Sequence, residues 1–195
     1  MRSYSFIEKY ILKKRYIFYY DLNNISKNNS LTNVIDLSLT QTSILSDFVI
    51  SERLNAYIQK RKGMDTWRLF LYIENYQVLG YSFLHTPLST EWNDSLPTYN
   101  NEARESSTYV ESVARGRGIR GILLASQKKY CSEQNKKMWC VIEAVNEASI
   151  KSTKKSGVNY IEKNYLLKFF GRNIFSILTN TLSFFFLWGE KRATR

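Results

Sequence analysis

From Tyr109 to Leu124 the chain reads Tyr-Val-Glu-Ser-Val-Ala-Arg-Gly-Arg-Gly-Ile-Arg-Gly-Ile-Leu-Leu, and here residue type and spacing could do chemistry. Tyr109, Val110 and Val113 have the character of a strand. Arg115 to Gly118 form a glycine turn, and Ile119, Ile122, Leu123, Ser126 and Tyr130 recur at helical spacing. The first turn of a helix leaves N–H groups without partners and carries the positive end of the helix dipole. Glycines allow a phosphate to come close to that backbone. Arg115, Arg117 and Arg120 add charge at the same place, so a pyrophosphate is the expected guest. Two blander readings stay open. An Arg/Gly run can be a flexible RNA-binding tract, although such tracts repeat and this one occurs once, directly before a helix pattern. It can also be no more than a tight turn. The run is not a P-loop, since no Gly-Lys-Ser/Thr follows, and Arg120-Gly121 is out of register for G-x-G-x-x-G.

The elements that must position this loop are partly legible. Arg15 to Leu22 is aromatic and β-favouring and predicts a first strand; Asn23 to Asn33 is an Asn/Ser loop. Leu39 to Arg61 predicts one or two amphipathic helices, closed by Lys62-Gly63. Trp67 to Glu74 and Val78 to His85 predict a hairpin. His85, the single histidine, is a candidate base, proton relay or acceptor contact, with a structural hydrogen-bonded role as the alternative. Thr86 to Ser106 is polar and predicts a loop. As an acceptor-binding lid it would offer Trp92 and Tyr99 for stacking and Glu91 or Asp94 for an amine; a plain surface loop is the other reading. The loop-borne helix is expected to run to about Glu133. After it come a buried strand, Met138 to Val145, and a helix, Glu147 to Ser156, which Asn146 is placed to cap.

A chain of 195 residues with 44% hydrophobic residues has room for one sizeable core. Its net charge of +11 favours anionic partners without choosing among coenzyme A, nucleotide-linked substrates, membrane surfaces and nucleic acid. Cys131 and Cys140 have no metal-site spacing and read as packing residues in a reduced compartment; no metal is expected. Met1 to Leu12 lacks the pattern of a secretory signal. Asn173 to Trp188 carries no charge. As a helix it would span about 24 Å, short of a hydrocarbon core of roughly 30 Å, with Asn173, Ser176, Asn180 and Ser183 as a polar stripe. The expectation is a hydrophobic C-terminal helix flanked by Arg172, Lys191 and Arg192. It would lie on a membrane surface or dock on a second subunit or on the domain itself.

Arg115-Gly116-Arg117-Gly118-Ile119 resembles the pyrophosphate loop, Q/R-x-x-G-x-G/A, of the GNAT superfamily of acyl-CoA N-acyltransferases, with Arg120 where that pattern has Gly or Ala and Gly121 one residue late. A second block follows in the family's order: Val141 to Asn146, Ser149, then Gly157-Val158. The resemblance covers about Leu39 to Phe170. It implies an α/β fold with a mixed, mostly antiparallel central sheet flanked by helices, in a domain of residues 1–170 followed by the tail 171–195. It implies transfer of an acetyl group from acetyl-CoA to an amine. The cofactor would be held by Val113, Arg115, Gly116, Arg117, Gly118, Ile119, Arg120, Gly121 and Asn146. A backbone N–H near Glu111 to Val113 would polarise the thioester carbonyl, and Glu111, placed in an apolar strand where burial would raise its pKa, is the candidate base. Its alternative is a carboxylate paired with a nearby Arg. Thr153 stands where many members have the tyrosine that protonates the leaving thiolate; a threonine hydroxyl is a much poorer acid, so either water or a neighbour such as Tyr109 or Tyr160 helps the thiolate leave, or catalysis is weakened. Lys151, Lys154 and Lys155 are candidates for the adenosine phosphate, or simply a solvated face. His85, Glu91 and Trp92 are the acceptor-side candidates, and an amino sugar of envelope polysaccharide synthesis would suit a basic protein at the inner membrane face, in the cytoplasm. Nucleic acid is the less favoured partner. Other classes remain open: a GNAT-fold binding protein without the chemistry, or a basic membrane-surface or nucleic-acid-binding protein.

Overall fold

The computed structural model describes residues 12–23, 33–169, 172–181 and 183–187. The reading of Met1 to Leu12 up to its last residue, most of the loop Asn23 to Asn33, and Lys191 and Arg192 lie outside them. The chain divides into two compact units, one taking in residues 1–20, 91–98 and 139–195, the other 21–90 and 99–138.

In the first unit β1 (Leu12–Tyr20) lies between β8 (Lys137–Glu143) and β9 (Val158–Phe169), and β10 (Arg172–Leu178) and β11 (Ser183–Phe186) continue the sheet beyond β9. Every pairing here is antiparallel. Aromatic and β-branched residues explain β1, whose Ile17 and Phe18 are fully buried. Ile17, Leu96, Trp139 and Leu178 form the core, with Tyr19, Val141 and Phe185 packed around it. A polar thread also runs through this interior. Buried Arg15 donates from Nε to Asn164 Oδ1 at 2.8 Å, and Asn164 donates to Ser176 Oγ at 2.9 Å, which satisfies groups that would otherwise be costly to bury.

Two expectations are corrected in this unit. The uncharged stretch after Asn173 is not a helix: β10 and β11 form a hairpin in which Phe175 faces Phe186 and Leu178 faces Ser183. The polar residues read as a helical stripe serve separate bonds. Asn173 donates to Ser95 Oγ, Asn180 donates to the carbonyl of Ile161, and Ser176 accepts from Asn164. The interfacial-helix reading falls with the helix, and among the described residues no helix is long and apolar enough to cross a membrane. Part of the predicted loop Thr86 to Ser106 is likewise a hairpin, β5 (Glu91–Asn93) and β6 (Leu96–Thr98), joined by Asp94 and Ser95 with φ of 50° and 62°. Arg15 Nη1 donates to Asp94 O at 2.8 Å, and Trp92 meets Phe185 edge-on at 5.3 Å, so the hairpin is fastened to its own unit.

The second unit has the strand order β7 (Glu102–Val110), β4 (Gln77–His85), β3 (Trp67–Glu74), β2 (Val34–Ser38), again antiparallel. The β3–β4 hairpin falls where the alternation predicts it. Its two-residue turn places Asn75 and Tyr76 at φ of 48° and 61°, the positive pair that matches the twist of the flanking strands. The run Leu39 to Arg61 is shorter in helix than expected: a 3₁₀ turn over Thr42–Asp47, an extended Phe48, then α1 (Glu52–Gln59), capped by the Ser51 side chain. Because α1 stops at Gln59, Gly63, at φ 79°, belongs to a later turn and not to the helix cap. Leu39, Leu54, Leu69, Leu71 and Phe83 are fully buried between α1 and the strands. The long helix α2 (Ile119–Glu133) packs on β2, β3, β4 and β7, ends at the expected residue, and buries Cys131 at its last turn.

Candidate active site

The Arg/Gly stretch folds as strand, 3₁₀ turn, glycine loop and helix. β7 ends at Val110, and the Glu111 N–H donates to the Leu79 carbonyl at 2.9 Å, extending the ladder by one bond. That N–H is therefore used within the sheet. Ser112–Ala114 form a 3₁₀ turn closed by Ala114 N–H on Glu111 O at 2.9 Å; Ala114 is buried and Val113 is 80% exposed. Gly116 and Gly118 then sit at φ 82° and 75°, the left-handed region in which side chains are strained. A Cβ on either would meet nothing within 4 Å, so conformation and not crowding explains these glycines. Gly118 caps α2, and its carbonyl takes the N–H groups of Gly121 (2.9 Å) and Ile122 (3.2 Å). Helix geometry supplies no i−4 carbonyl to the N–H of Ile119, which leaves the loop's backbone donors at the positive end of the dipole.

Gly80 fixes how closely this helix meets the sheet. A Cβ there would lie 2.8 Å from Ile119 Cγ2 and 3.4 Å from both Leu123 Cδ1 and the Tyr109 carbonyl. A glycine inside a strand pattern is the sequence signal for such an approach. The arginines of the loop are held differently from one another. Arg117 Nη2 donates to Glu74 Oε1 at 2.5 Å, and the Tyr72 hydroxyl donates to the same oxygen at 2.7 Å. The Arg117 hydrogen bond, and after it that of Tyr72, holds the Glu74 carboxyl below its ordinary pKa. Arg115 Nε donates to the Val110 carbonyl at 3.2 Å, with its guanidinium 5.7 Å from the Tyr109 ring. Arg120 sits on the first turn, half-buried.

Beside Glu111, which is half-buried, lies an aromatic group that the sequence reading did not assemble. The Tyr81 ring is 5.7 Å from Tyr109, 5.9 Å from Phe83 and 6.4 Å from Tyr57. The Arg53 guanidinium lies 4.4 Å above the Tyr109 ring. Burial pushes the Tyr81 phenol above its ordinary pKa; Arg53 opposes that, while Tyr57 and Glu111 reinforce it. Arg53 and Tyr57, four apart on α1, were visible only as an amphipathic pattern.

Other candidate residues are placed elsewhere. His85 is at the far end of β4, five residues or about 16 Å from Gly80, and is 1% exposed with its ring stacked on Trp67 at 4.7 Å. That position suits a structural histidine and does not bring it to Glu111. Glu91, Trp92, Asn146, Thr153 and Tyr160 belong to the first unit. There Asn146 caps α3 (Glu147–Lys154), accepting from Ser149 N–H at 3.1 Å. Thr153 is fully buried, and Tyr160 is 41% exposed, its ring 5.6 Å from Tyr19. Lys151, Lys154 and Lys155 are exposed. Among the described residues no cluster of His, Cys, Asp and Glu could hold a metal.

No family model matches the chain, and no curated protein matches it in sequence. Solved structures do match its fold. A protein from Novosphingobium aromaticivorans described as an acetyltransferase of the GNAT family aligns with TM-score 0.54 at 10% identity, over 78% of this chain and 62% of its own. An acetyltransferase from the GNAT family of Colwellia psychrerythraea aligns with TM-score 0.52 at 15% identity, over 80% of this chain and 56% of its own. The chain thus has the GNAT acyltransferase fold. It spans less than two thirds of the length of either of these structures.

Proposed function

We propose that the protein is an acetyl-CoA-dependent N-acetyltransferase acting on a small amine. One observation carries this reading: two left-handed glycines open a long helix directly behind a strand end that carries a half-buried carboxylate, within a GNAT fold. The pyrophosphate of coenzyme A is assigned to the N–H groups of Gly116 to Arg120, with Arg115 and Arg120 as counter-charges. The acceptor nitrogen, deprotonated by Glu111 directly or through a water, attacks the thioester carbonyl. The C–N bond forms, the nitrogen of the tetrahedral intermediate gives its second proton to solvent, the C–S bond breaks, and the departing thiolate takes a proton from solvent to leave as the coenzyme A thiol. Ser112 and Val113 N–H are the candidates for holding the oxyanion. An amino sugar is one acceptor that fits this chemistry.

The test is thermal unfolding with and without acetyl-CoA, for the wild type and Gly118→Glu. At a hundred times its dissociation constant a ligand of the folded state adds about 2.7 kcal/mol, a rise of roughly 5–10 °C for a chain of this size. A Cβ at Gly118 meets nothing within 4 Å, but a Glu there strains the left-handed backbone and sets a carboxylate against the phosphates. A rise in wild type that is lost in the variant supports the cofactor site. No rise at millimolar acetyl-CoA would sink the acetyltransferase reading.

A further inference from the structure

Four arginines of the second unit are distributed unequally among partners. Arg68 pairs with Asp36 at 2.9 Å and Arg117 with Glu74. Arg61 is enclosed by rings, 4.4 Å from Trp67, 4.9 Å from Phe83 and 5.3 Å from Tyr57, and donates to the Tyr57 carbonyl at 3.2 Å. Arg53 is different. It stands exposed on the first turn of α1, its guanidinium 4.4 Å from the Tyr109 ring, with the Tyr57 and Tyr81 hydroxyls as neighbours and no carboxylate paired to it among the described residues. Arg115 approaches the same Tyr109 ring, so two guanidiniums meet at this spot.

A second observation points to a ligand. Tyr81 is 1% exposed, and its hydroxyl is held only by a loose contact with the Arg53 guanidinium, outside ordinary hydrogen-bond geometry. Buried phenols are normally well hydrogen-bonded, so one held this loosely has capacity for a further partner. Arg53 and Glu111 are the charged groups near enough to act on it. One small region therefore offers a cation, a loosely held phenol and a carboxylate beside the glycine loop.

We infer that the acceptor is an amine carrying an anionic group a few bonds from its nitrogen, the amine held by Glu111 and the anion by Arg53 and the Tyr81 hydroxyl. This rests on the acetyltransferase reading and adds the acceptor's charge pattern to it. A guanidinium meets a carboxylate or a phosphate with paired hydrogen bonds, and both share the required chemistry. Tyr57 and Tyr109 provide the walls against which the connecting carbons rest.

Matched acceptors test it: amino acids against their amides for a carboxylate, and O-phosphoethanolamine against ethanolamine for a phosphate. Release of the coenzyme A thiol from acetyl-CoA is followed with wild type, Arg53→Gln and Arg53→Lys. In wild type the anionic member of at least one pair should have a kcat/KM tenfold or more above its neutral partner. That ratio should fall to about one in Arg53→Gln and recover in part in Arg53→Lys, with most of the change in KM; comparing ratios cancels the intrinsic reactivity of each amine. The pair that shows the preference identifies carboxylate or phosphate. Neutral partners used as well as anionic ones, a ratio unmoved by Arg53→Gln, or turnover of none of these amines would each overturn the inference. The acetyltransferase reading fails on different ground, the loss of the acetyl-CoA thermal shift. Arg53 is exposed, so both variants should unfold within a few degrees of wild type, and that scan shows that the variants are folded.

Discussion

At the scale of single residues, the site was legible wherever the chemistry lies in adjacent residues. Gly116 and Gly118 announced a glycine turn before a helix, and Glu111 announced a carboxylate at a strand end; all three are where the sequence puts them, and the structure adds that both glycines are left-handed. Arg53 and Tyr81 were not legible as a pair, since a whole strand lies between them in sequence and only the fold brings both against the Tyr109 ring. Whether Glu111 is the base can be tested by Glu111→Gln. Removing a general base should lower kcat about 10²–10⁴-fold near neutral pH while leaving acetyl-CoA stabilisation in place. The deficit should shrink as pH rises through the acceptor amine's own pKa, where the nucleophile is already neutral. A carboxylate that merely pairs with an Arg would give a deficit that pH does not move.

Elements were legible where periodicity and burial agree and illegible where buried residues are polar. β3, β4 and α2 lie within a residue of their expected bounds. β7 begins inside a stretch read as loop because Arg104 and Glu105, among its buried residues, are charged; a network explains their neighbourhood. Thr108 donates to Glu105 at 2.7 Å and contacts Ser82 at 2.6 Å, and Gln127 of α2 donates to Ser82 at 2.9 Å. The β10–β11 hairpin was read as a helix because Asn173, Ser176, Asn180 and Ser183 happen to recur at three and four; the partners of the first three lie in distant residues that no local pattern reveals. How α2 meets β4 yields an element-scale prediction. Gly80→Ala places a methyl 2.8 Å from Ile119 Cγ2, and a β-branched side chain in a helix has essentially one rotamer to offer, so the helix start must move. Overpacking of this kind costs about 1–3 kcal/mol, a fall of roughly 2–10 °C in Tm, and acetyl-CoA affinity should drop as well because Gly118 moves with Ile119. An unchanged affinity in a destabilised Gly80→Ala would show that the loop does not depend on this contact.

For the molecule as a whole, stability against pH is set partly by two buried groups on α2 that act with opposite sign. Burial pushes the Cys131 thiol from 9.0 up to about 12, with Asp36 adding slightly and Lys136 opposing. Burial also depresses the Lys128 ammonium below 10.5, with Asp21 and Glu105 pulling it back. A thiol whose pKa is raised by folding keeps its proton while the unfolded chain releases its own. Its contribution is therefore complete below pH 9 and is lost as pH climbs toward 12. An ammonium whose pKa is depressed contributes in the reverse sense, fully above pH 10.5 and less as pH falls through its folded value. Thermal unfolding from pH 7 to 10.5 should then show a flatter alkaline decline for Cys131→Ala than for wild type, whatever the fixed cost of the cavity. Lys128→Met should be relatively more stable at pH 7 and steeper toward pH 10.5, because the opposing gain has been removed. The slopes separate the two groups where absolute Tm values would not, since a packing change shifts a curve without tilting it. Parallel curves for all three proteins would mean that neither group titrates differently between the folded and unfolded chain.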